Sequence, residues 1–159
     1  MSYHMRRDDR EITDWATIEE ILCQGKYAIL ALCRNDEPYA VTLNYGYDGA
    51  SRSLFFHCAQ EGLKTEIVRE NARVCATVID DRGYVQGECE HRFRSVVIRG
   101  TDEILSDFET KKHALNVLVD HLESDPEPVK ARTMGKPEQI HSVGAWKIRI
   151  EECSAKQVK

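Results

Sequence analysis

The stretch Tyr39-Ala40-Val41-Thr42-Leu43-Asn44-Tyr45-Gly46-Tyr47 alternates without a break. Tyr39, Val41, Leu43, Tyr45 and Tyr47 share one face, and Ala40, Thr42, Asn44 and Gly46 share the other. A period of two held this long is the mark of a strand with one buried side. A helix would scatter these large residues around its axis. The chain is therefore read first as β, and its neighbours are read against this strand.

Outward on both sides the pattern repeats. Residues 27–33 form a compact apolar run, and Arg34-Asn35-Asp36-Glu37-Pro38 supplies a turn before the alternating strand. Asp48-Gly49 turns the chain again, and residues 54–58 make a third strand. Upstream, Thr13 and Asp14 offer capping oxygens for a helix over about 14–24, with Trp15, Ile18, Ile21 and Leu22 at helical spacing and Gly25 at its end. Downstream, Leu63, Ile67 and Val68 mark a short helix that Asn71 closes, and residues 73–79 form a fourth strand. Residues 80–91 are polar, hold Gly83 and Gly87, and read as a long loop. Residues 93–105 read as a fifth strand with a bulge at Gly100. A helix over 107–122 shows Phe108, Leu115, Leu118, Val119 and Leu122 on one face. Residues 124–139 hold Pro126, Pro128 and Pro137 and read as a loop, and 142–153 is the closing strand. Val143, Ala145, Ile148 and Ile150 are its expected core residues, and 154–159 reads as a polar tail. Strands cluster instead of alternating with helices, which excludes a doubly wound parallel sheet. One domain over 1–159 is expected: mainly β, with six antiparallel strands in a small, partly closed barrel and peripheral helices.

Composition narrows the function classes. The 159 residues are 42% hydrophobic and 31% charged, with a net charge of −5, values of an ordinary globular domain. No apolar run is long enough to span a bilayer, and residues 1–11 are too charged for a secretory signal. A cytoplasmic protein is expected, without membrane or nucleic-acid partners, since no Lys/Arg stripe is present. Six cysteines form no CxxC pair. Cys23, Cys33, Cys58 and Cys75 lie in apolar runs and read as small buried hydrophobes. Cys89 and His91 lack a second half for a metal site, so no metal is expected.

The stretch with the most chemistry is Phe56-His57-Cys58-Ala59-Gln60-Glu61-Gly62-Leu63-Lys64. A strand ends, a loop follows, and a helix starts with a lysine in its first turn. The helix N-terminus already carries partial positive charge, so a lysine there is misplaced unless an anion joins it. Free N–H groups, Lys64 and a permissive Gly62 together suit a phosphate. A solvated lysine in an ordinary strand-to-helix connection is the plainer alternative.

Several segments, taken in order, resemble one family. They are Asp9-Arg10-Glu11-Ile12, residues 39–47, residues 56–64, Phe93-Arg94-Ser95-Val96-Val97-Ile98-Arg99-Gly100, and Ile148-Arg149-Ile150-Glu151-Glu152. Together they resemble the nitroimidazole-reductase (Nim) family of the pyridoxamine-phosphate-oxidase-like FMN-binding split barrels. The resemblance implies a six-stranded split barrel that holds FMN at a homodimer interface. It implies that the backbone of Val41, Thr42 and Leu43 faces the pyrimidine edge of the flavin. Phe56, His57 and Cys58 would line the cofactor, Lys64 would bind its phosphate, and Ser95, with Val96 beside it, would contact it from the fifth strand. His57 would serve as proton donor on the substrate side, with packing or a carbonyl hydrogen bond as the alternative. Trp146 would either cover the partner's flavin or pack in a core. Leu63-Lys64 stands where the vitamin oxidases carry Arg-Lys, and their Arg-Leu-x-Pro ending is missing, so vitamin B6 synthesis is not expected. The implied activity is FMN-dependent reduction of nitro-aromatic or other small oxidised acceptors, with electrons from a nicotinamide or a protein donor. No GxGxxG fingerprint for a resident nicotinamide is present. A flavin- or heme-binding protein without turnover, or a redox sensor, is the alternative. His113 and His121 are expected to be solvated, and His91 and His141 receive no role.

Overall fold

The computed structural model describes residues 5–158; the ends of the expected domain, including Lys159, lie outside them. Helix α1 (Trp15–Gln24) begins where the Asp14 carboxylate accepts the Thr17 N–H at 2.8 Å. It buries Ile18, Ile21 and Leu22. Gly25 follows with φ −63°, so left-handed backbone is not its purpose. A Cβ there would stand 2.6 Å from Val78 and collide with the Tyr45 hydroxyl, so glycine is required by close packing.

Six strands form the ring: β2 (Tyr27–Arg34), β3 (Glu37–Asp48), β4 (Ser53–Cys58), β5 (Arg73–Val85), β6 (Glu90–Leu105) and β7 (Gly144–Val158). A two-residue strand, β1 (Glu11–Ile12), adds to the outside of β7. The order is β7-β4-β3-β2-β5-β6, and β6 closes onto β7, every pair being antiparallel. The seams are unequal. β6 pairs with β7 from Phe93 to Leu105, whereas β2 meets β5 only over Ile29–Ala31 and β3 meets β4 only over Tyr45–Asp48. Beyond those short seams the sheet splits, as expected of a split barrel. Helix α2 (Leu63–Glu70) crosses one end, and α3 (Phe108–Leu122) packs on β3 so closely that a Cβ at Gly46 would lie 2.6 Å from the Leu118 backbone.

Three stretches depart from the expectation. Residues 80–91 are not a loop: β5 and β6 continue as a hairpin to Tyr84↔His91 and Val85↔Glu90, with an irregularity between Asp81 and Tyr84. The ribbon has no buried face, so its sequence carries no alternation. Residues 124–139 fold as α4 (Pro126–Met134) and α5 (Pro137–His141). Pro126 and Pro137 occupy the first helical turn, where a missing N–H costs nothing. The closing strand starts at Gly144 and runs to Val158, so the polar tail is strand. The register shifts at Arg99/Gly100, where Arg99 faces Glu152 and Gly100 faces Ile150. That extra residue on β7 moves the inward positions from Trp146 and Ile148 to Cys153 and Ala155. The irregularity expected in the fifth strand at Gly100 falls on its partner: the extra residue is Glu151 of β7, opposite Arg99 and Gly100. A Cβ at Gly100 would collide with the Arg149 carbonyl.

The barrel interior holds Leu30, Tyr45, Phe56, Val96, Ile98, Trp146 and Ile148, all nearly inaccessible. Tyr45 donates its hydroxyl to the Leu22 carbonyl at 2.6 Å, which satisfies a phenol that burial holds un-ionised. No described helix is long and apolar enough to cross a membrane.

Candidate functional site at the split between β3 and β4

Residues 37–44 of β3 pair with β2 on one side and with no strand among the described residues on the other, because β4 joins β3 only from Tyr45 onward. Alternate N–H and C=O groups of this segment therefore face an open edge. β4 leaves β3 after Phe56, so His57 and Cys58 flank the start of that edge. Alternation separates their side chains. Phe56 points into the core, His57 points outward and is exposed, and Cys58 turns inward and is half-buried.

Helix α2 follows at once. Gly62 precedes it with φ +130°, and open space surrounds the place of its missing Cβ, so glycine is required here by the backbone angle. No side chain caps the helix, which leaves its first N–H groups without a capping oxygen. Lys64 lies in this turn, half-buried, and makes no hydrogen bond or ion pair with any described residue. Burial raises the Cys58 thiol, and the Lys64 charge pulls against that rise. Open edge amides, uncapped helix amides and an unpaired ammonium thus converge beside one strand end. Such a set can hold a ligand with a heterocyclic amide edge and an anionic group.

The expected site residues divide. Val41, Thr42 and Leu43 lie on the open edge and Cys58, with Lys64 near it, lies beside its start, whereas the His57 side chain faces a groove lined by Leu115, Leu118, Leu122 and Val143. Val41 and Leu43 pack their side chains against the core and offer only backbone, while Thr42 is exposed on the outer face. Phe56 and Val96 are core residues, at 1% and 0% exposure, so neither side chain reaches a ligand outside the barrel. Ser95 is buried on β6, with β2 and β5 between it and β3, roughly 14 Å across the sheet from the split. Trp146, 1% exposed within one chain, is core packing.

Other side chains also depart from the sequence reading. His121 is packed, not solvated: its Nε2 lies 2.6 Å from the Gly25 carbonyl, and its Nδ1 lies 3.5 Å from the Tyr47 N–H. Burial lowers its pKa. His113 is exposed, as expected, and stands edge-on to Phe55 at 5.4 Å. Cys23 is exposed, and Cys33, Cys58 and Cys75 are half-buried. His91 bonds Asp81 at 2.7 Å.

Three buried polar residues near Cys58 were missed: Thr65, Asp102 and Lys111. Thr65 is 1% exposed and its hydroxyl has no hydrogen-bond partner. Both carboxylate oxygens of Asp102 are buried without a partner, and burial pushes this acid up to about 8. Lys111, 6% exposed, donates to the His141 carbonyl at 3.2 Å. Two of them carried a signal. Asp102 continues the inward row Val96-Ile98-Gly100, and Lys111 stands one turn before Leu115 on the apolar stripe of α3. A charged residue at an apolar phase is the anomaly that marks it.

The family model for pyridoxamine 5'-phosphate oxidase matches residues 14–157. No curated protein matches the chain by sequence. Among solved structures, a proposed 5-nitroimidazole antibiotic resistance protein from Bacteroides thetaiotaomicron is 25% identical, with a TM-score of 0.79 over 98% of this chain and 96% of that one. The flavocytochrome Anf3 from Azotobacter vinelandii is 21% identical, with a TM-score of 0.81 over 99% of this chain and 73% of that one. An FAD-binding protein from Mesorhizobium loti is 23% identical, with a TM-score of 0.68 over 94% and 98%. The last two share the fold.

Proposed function

Since the chain belongs to the pyridoxamine 5'-phosphate oxidase family, we propose that it is an FMN-binding homodimeric reductase of nitro-aromatic or other small oxidised organic acceptors. The observation that carries this reading is the open edge of β3 beside an unpaired lysine and an uncapped helix start. The donors and acceptors of Val41–Leu43 suit the pyrimidine edge of a flavin, and Lys64 with the first amides of α2 suits its phosphate. FMN, when bound, supplies the two-electron chemistry. The protein's tasks are to bind, orient and exclude water. His57, outward-facing near the end of β4, is the proton donor to the acceptor in this reading, through its imidazole. Support for a nitro acceptor comes from the described role of the 25% identical protein.

A second copy completes the reading. The outer face of β2 and β5 exposes Tyr27 (48%), Ile29 (37%) and Ile79 (38%), with Ala31, Ala40 and Thr42 beside them. A contiguous apolar sheet face of this kind is where partners pack. It lies between the split and Ser95, so a two-fold contact across it brings the Ser95 edge of one copy toward the split of the other. Electrons would come from a nicotinamide or a protein donor, in a cytoplasmic setting.

The test starts with the purified protein. It is expected to be yellow, or to become so on adding FMN, and the mass of the extracted flavin separates FMN from FAD. A colourless protein that takes up neither overturns the reading. Lys64→Ala is expected to weaken FMN binding by about 1.5–3 kcal/mol. Anaerobic reduction of a nitroimidazole by flavin-loaded His57→Ala tests the proton donor, and undiminished turnover removes His57 from the mechanism. Ile29→Glu is expected to yield a monomer by light scattering.

A further inference from the structure

Across helix α2 from the split lies a second cavity, of about 290 Å³. Leu63 and Ile67 face the side toward Tyr39 and Arg34, while Thr65 and Arg69 face this cavity. Two residues apart is 200° around a helix, so the two sites are separated by the helix itself. Its apolar walls are Trp146, Ile104 and Leu105, from β7 and β6.

Its polar groups are out of balance. Arg69 is neutralised by Glu61 through two contacts, Nη1 to Oε2 at 2.9 Å and Nη2 to Oε1 at 3.1 Å. Lys111 has no carboxylate within ion-pair distance among the described residues. An ammonium has three N–H donors, and Lys111 uses one, on the His141 carbonyl. That carbonyl also receives the Gln60 amide, so it is already well supplied. The Thr65 hydroxyl, in the cavity wall and 1% exposed, makes no hydrogen bond among the described residues and has only the Cys58 thiol nearby. Glu61, the one carboxylate among the cavity's lining residues, is taken up by Arg69, so the Lys111 charge has no acid of its own there. A buried cation and a buried hydroxyl, both short of partners, call for an anion.

We infer that this cavity binds a small organic carboxylate, its oxygens taken by Lys111 and Thr65 and its apolar body set against Ile104 and Leu105. The volume is at the lower limit for organic ligands, which restricts the occupant to a single ring or a short chain. The site is independent of the flavin site proposed at the split.

Benzoate is the probe and benzamide its neutral counterpart, each titrated into the purified full-length protein at constant ionic strength by calorimetry and thermal shift. Benzoate is expected to bind saturably and to raise Tm in a concentration-dependent way, and benzamide to bind at least about tenfold more weakly. Lys111→Met is expected to lose benzoate binding by about tenfold or more, and Thr65→Val by several-fold, whereas Lys112→Met, on the exposed face of α3, leaves it unchanged. Should Lys111→Met fail to fold, Thr65→Val and the amide shifts of Gly144 and Leu105 on benzoate addition carry the test. Equal binding of benzoate and benzamide overturns the inference. So does absence of saturable benzoate binding in the wild type, or wild-type benzoate affinity in Lys111→Met. In the last case the lysine serves only to anchor the His141 carbonyl.

Discussion

The two ends of the barrel treat buried polar groups in opposite ways. At the α1 end, Arg94 has a side chain only 7% exposed, yet it bonds Asp80 at 2.7 Å and Glu20 at 3.0 Å. Around it Tyr45 bonds Leu22, Tyr47 bonds Glu19 at 3.0 Å, and His121 bonds Gly25. At the α2 end, Thr65 and Asp102 are buried without partners, and Lys64 has neither hydrogen bond nor ion pair among the described residues. One strand carries both situations. Arg94 and Asp102 lie eight residues apart on β6, roughly 27 Å along the strand. A buried polar group without a partner costs about 1–3 kcal/mol, so a fold that satisfies one end and leaves the other unmet holds the second for something outside the chain. The difference separates a structural end from a functional one on one small ring.

The sharpest way to break that contrast is Asp102→Asn. The folded acid is raised to about 8 by burial, against an ordinary value of 3.8. A raised acid contributes fully below its unfolded pKa, and that contribution is lost as pH rises through the folded one. Wild-type stability attributable to Asp102 therefore falls from pH 4 to pH 8. The asparagine variant does not titrate, so it is expected to match the wild type near pH 4 and exceed it by about 3–5 kcal/mol at pH 8. Urea denaturation at intervals across that range gives the two curves. Parallel curves would mean that Asp102 has a partner and that the ends of the barrel are alike.

Arg94→Met makes the opposite test, at the satisfied end. It removes a cation whose partners remain partly wetted, Glu20 at 49% and Asp80 at 24% side-chain exposure. A fully buried pair broken on one side loses about 3–5 kcal/mol, and solvent access to both carboxylates brings the expected loss here to about 2 kcal/mol. The same denaturation measurement reads it at pH 7. A neutral outcome would place Arg94 with surface ion pairs of little worth.

Much of the ring was legible because alternation survives wherever one face is buried. Residues 39–47 predicted their own inward set, and Tyr45 and Tyr47 lie in the core as the period requires. Alternation failed at two places for physical reasons. The β5–β6 ribbon past Ile79 buries neither face, so it left no periodic trace. On β7 the bulge opposite Arg99/Gly100 reverses the phase, and a strict period-two reading stops at Cys153 although the strand runs to Val158. The site was legible only in part. Lys64 stood out as a cation at a helix start. Asp102, Thr65 and Lys111 each occupy a regular element and come together only when β6, α2 and α3 meet, a juxtaposition that no local window contains.

His121→Gln sharpens the comparison with the smallest effect. His121 belongs to the satisfied end, where it bridges the end of α1 to β3 as a neutral ring. Its Nε2–H donates to the Gly25 carbonyl at 2.6 Å, and its Nδ1 accepts from the Tyr47 amide at 3.5 Å. Burial, ahead of the opposing pull of the Gly25 carbonyl, lowers its pKa from the usual 6.5. A lowered histidine means that the unfolded chain binds the proton first, so stability rises with pH through this window. The contribution is complete above about pH 6.5 and is lost as pH falls below it. Glutamine can donate and accept at the same two places without titrating. It is expected to stay within about 1 kcal/mol of the wild type at pH 8 and to lose less stability between pH 7 and pH 5. Because Asp102 weakens the fold as pH rises and His121 weakens it as pH falls, the double variant should show a flatter pH profile than either single change. The two residues lie at opposite ends and share no partner, so their effects should add within about 0.5 kcal/mol. A larger departure would mean that the ends of the barrel are mechanically coupled and that the open end is not independent of the closed one.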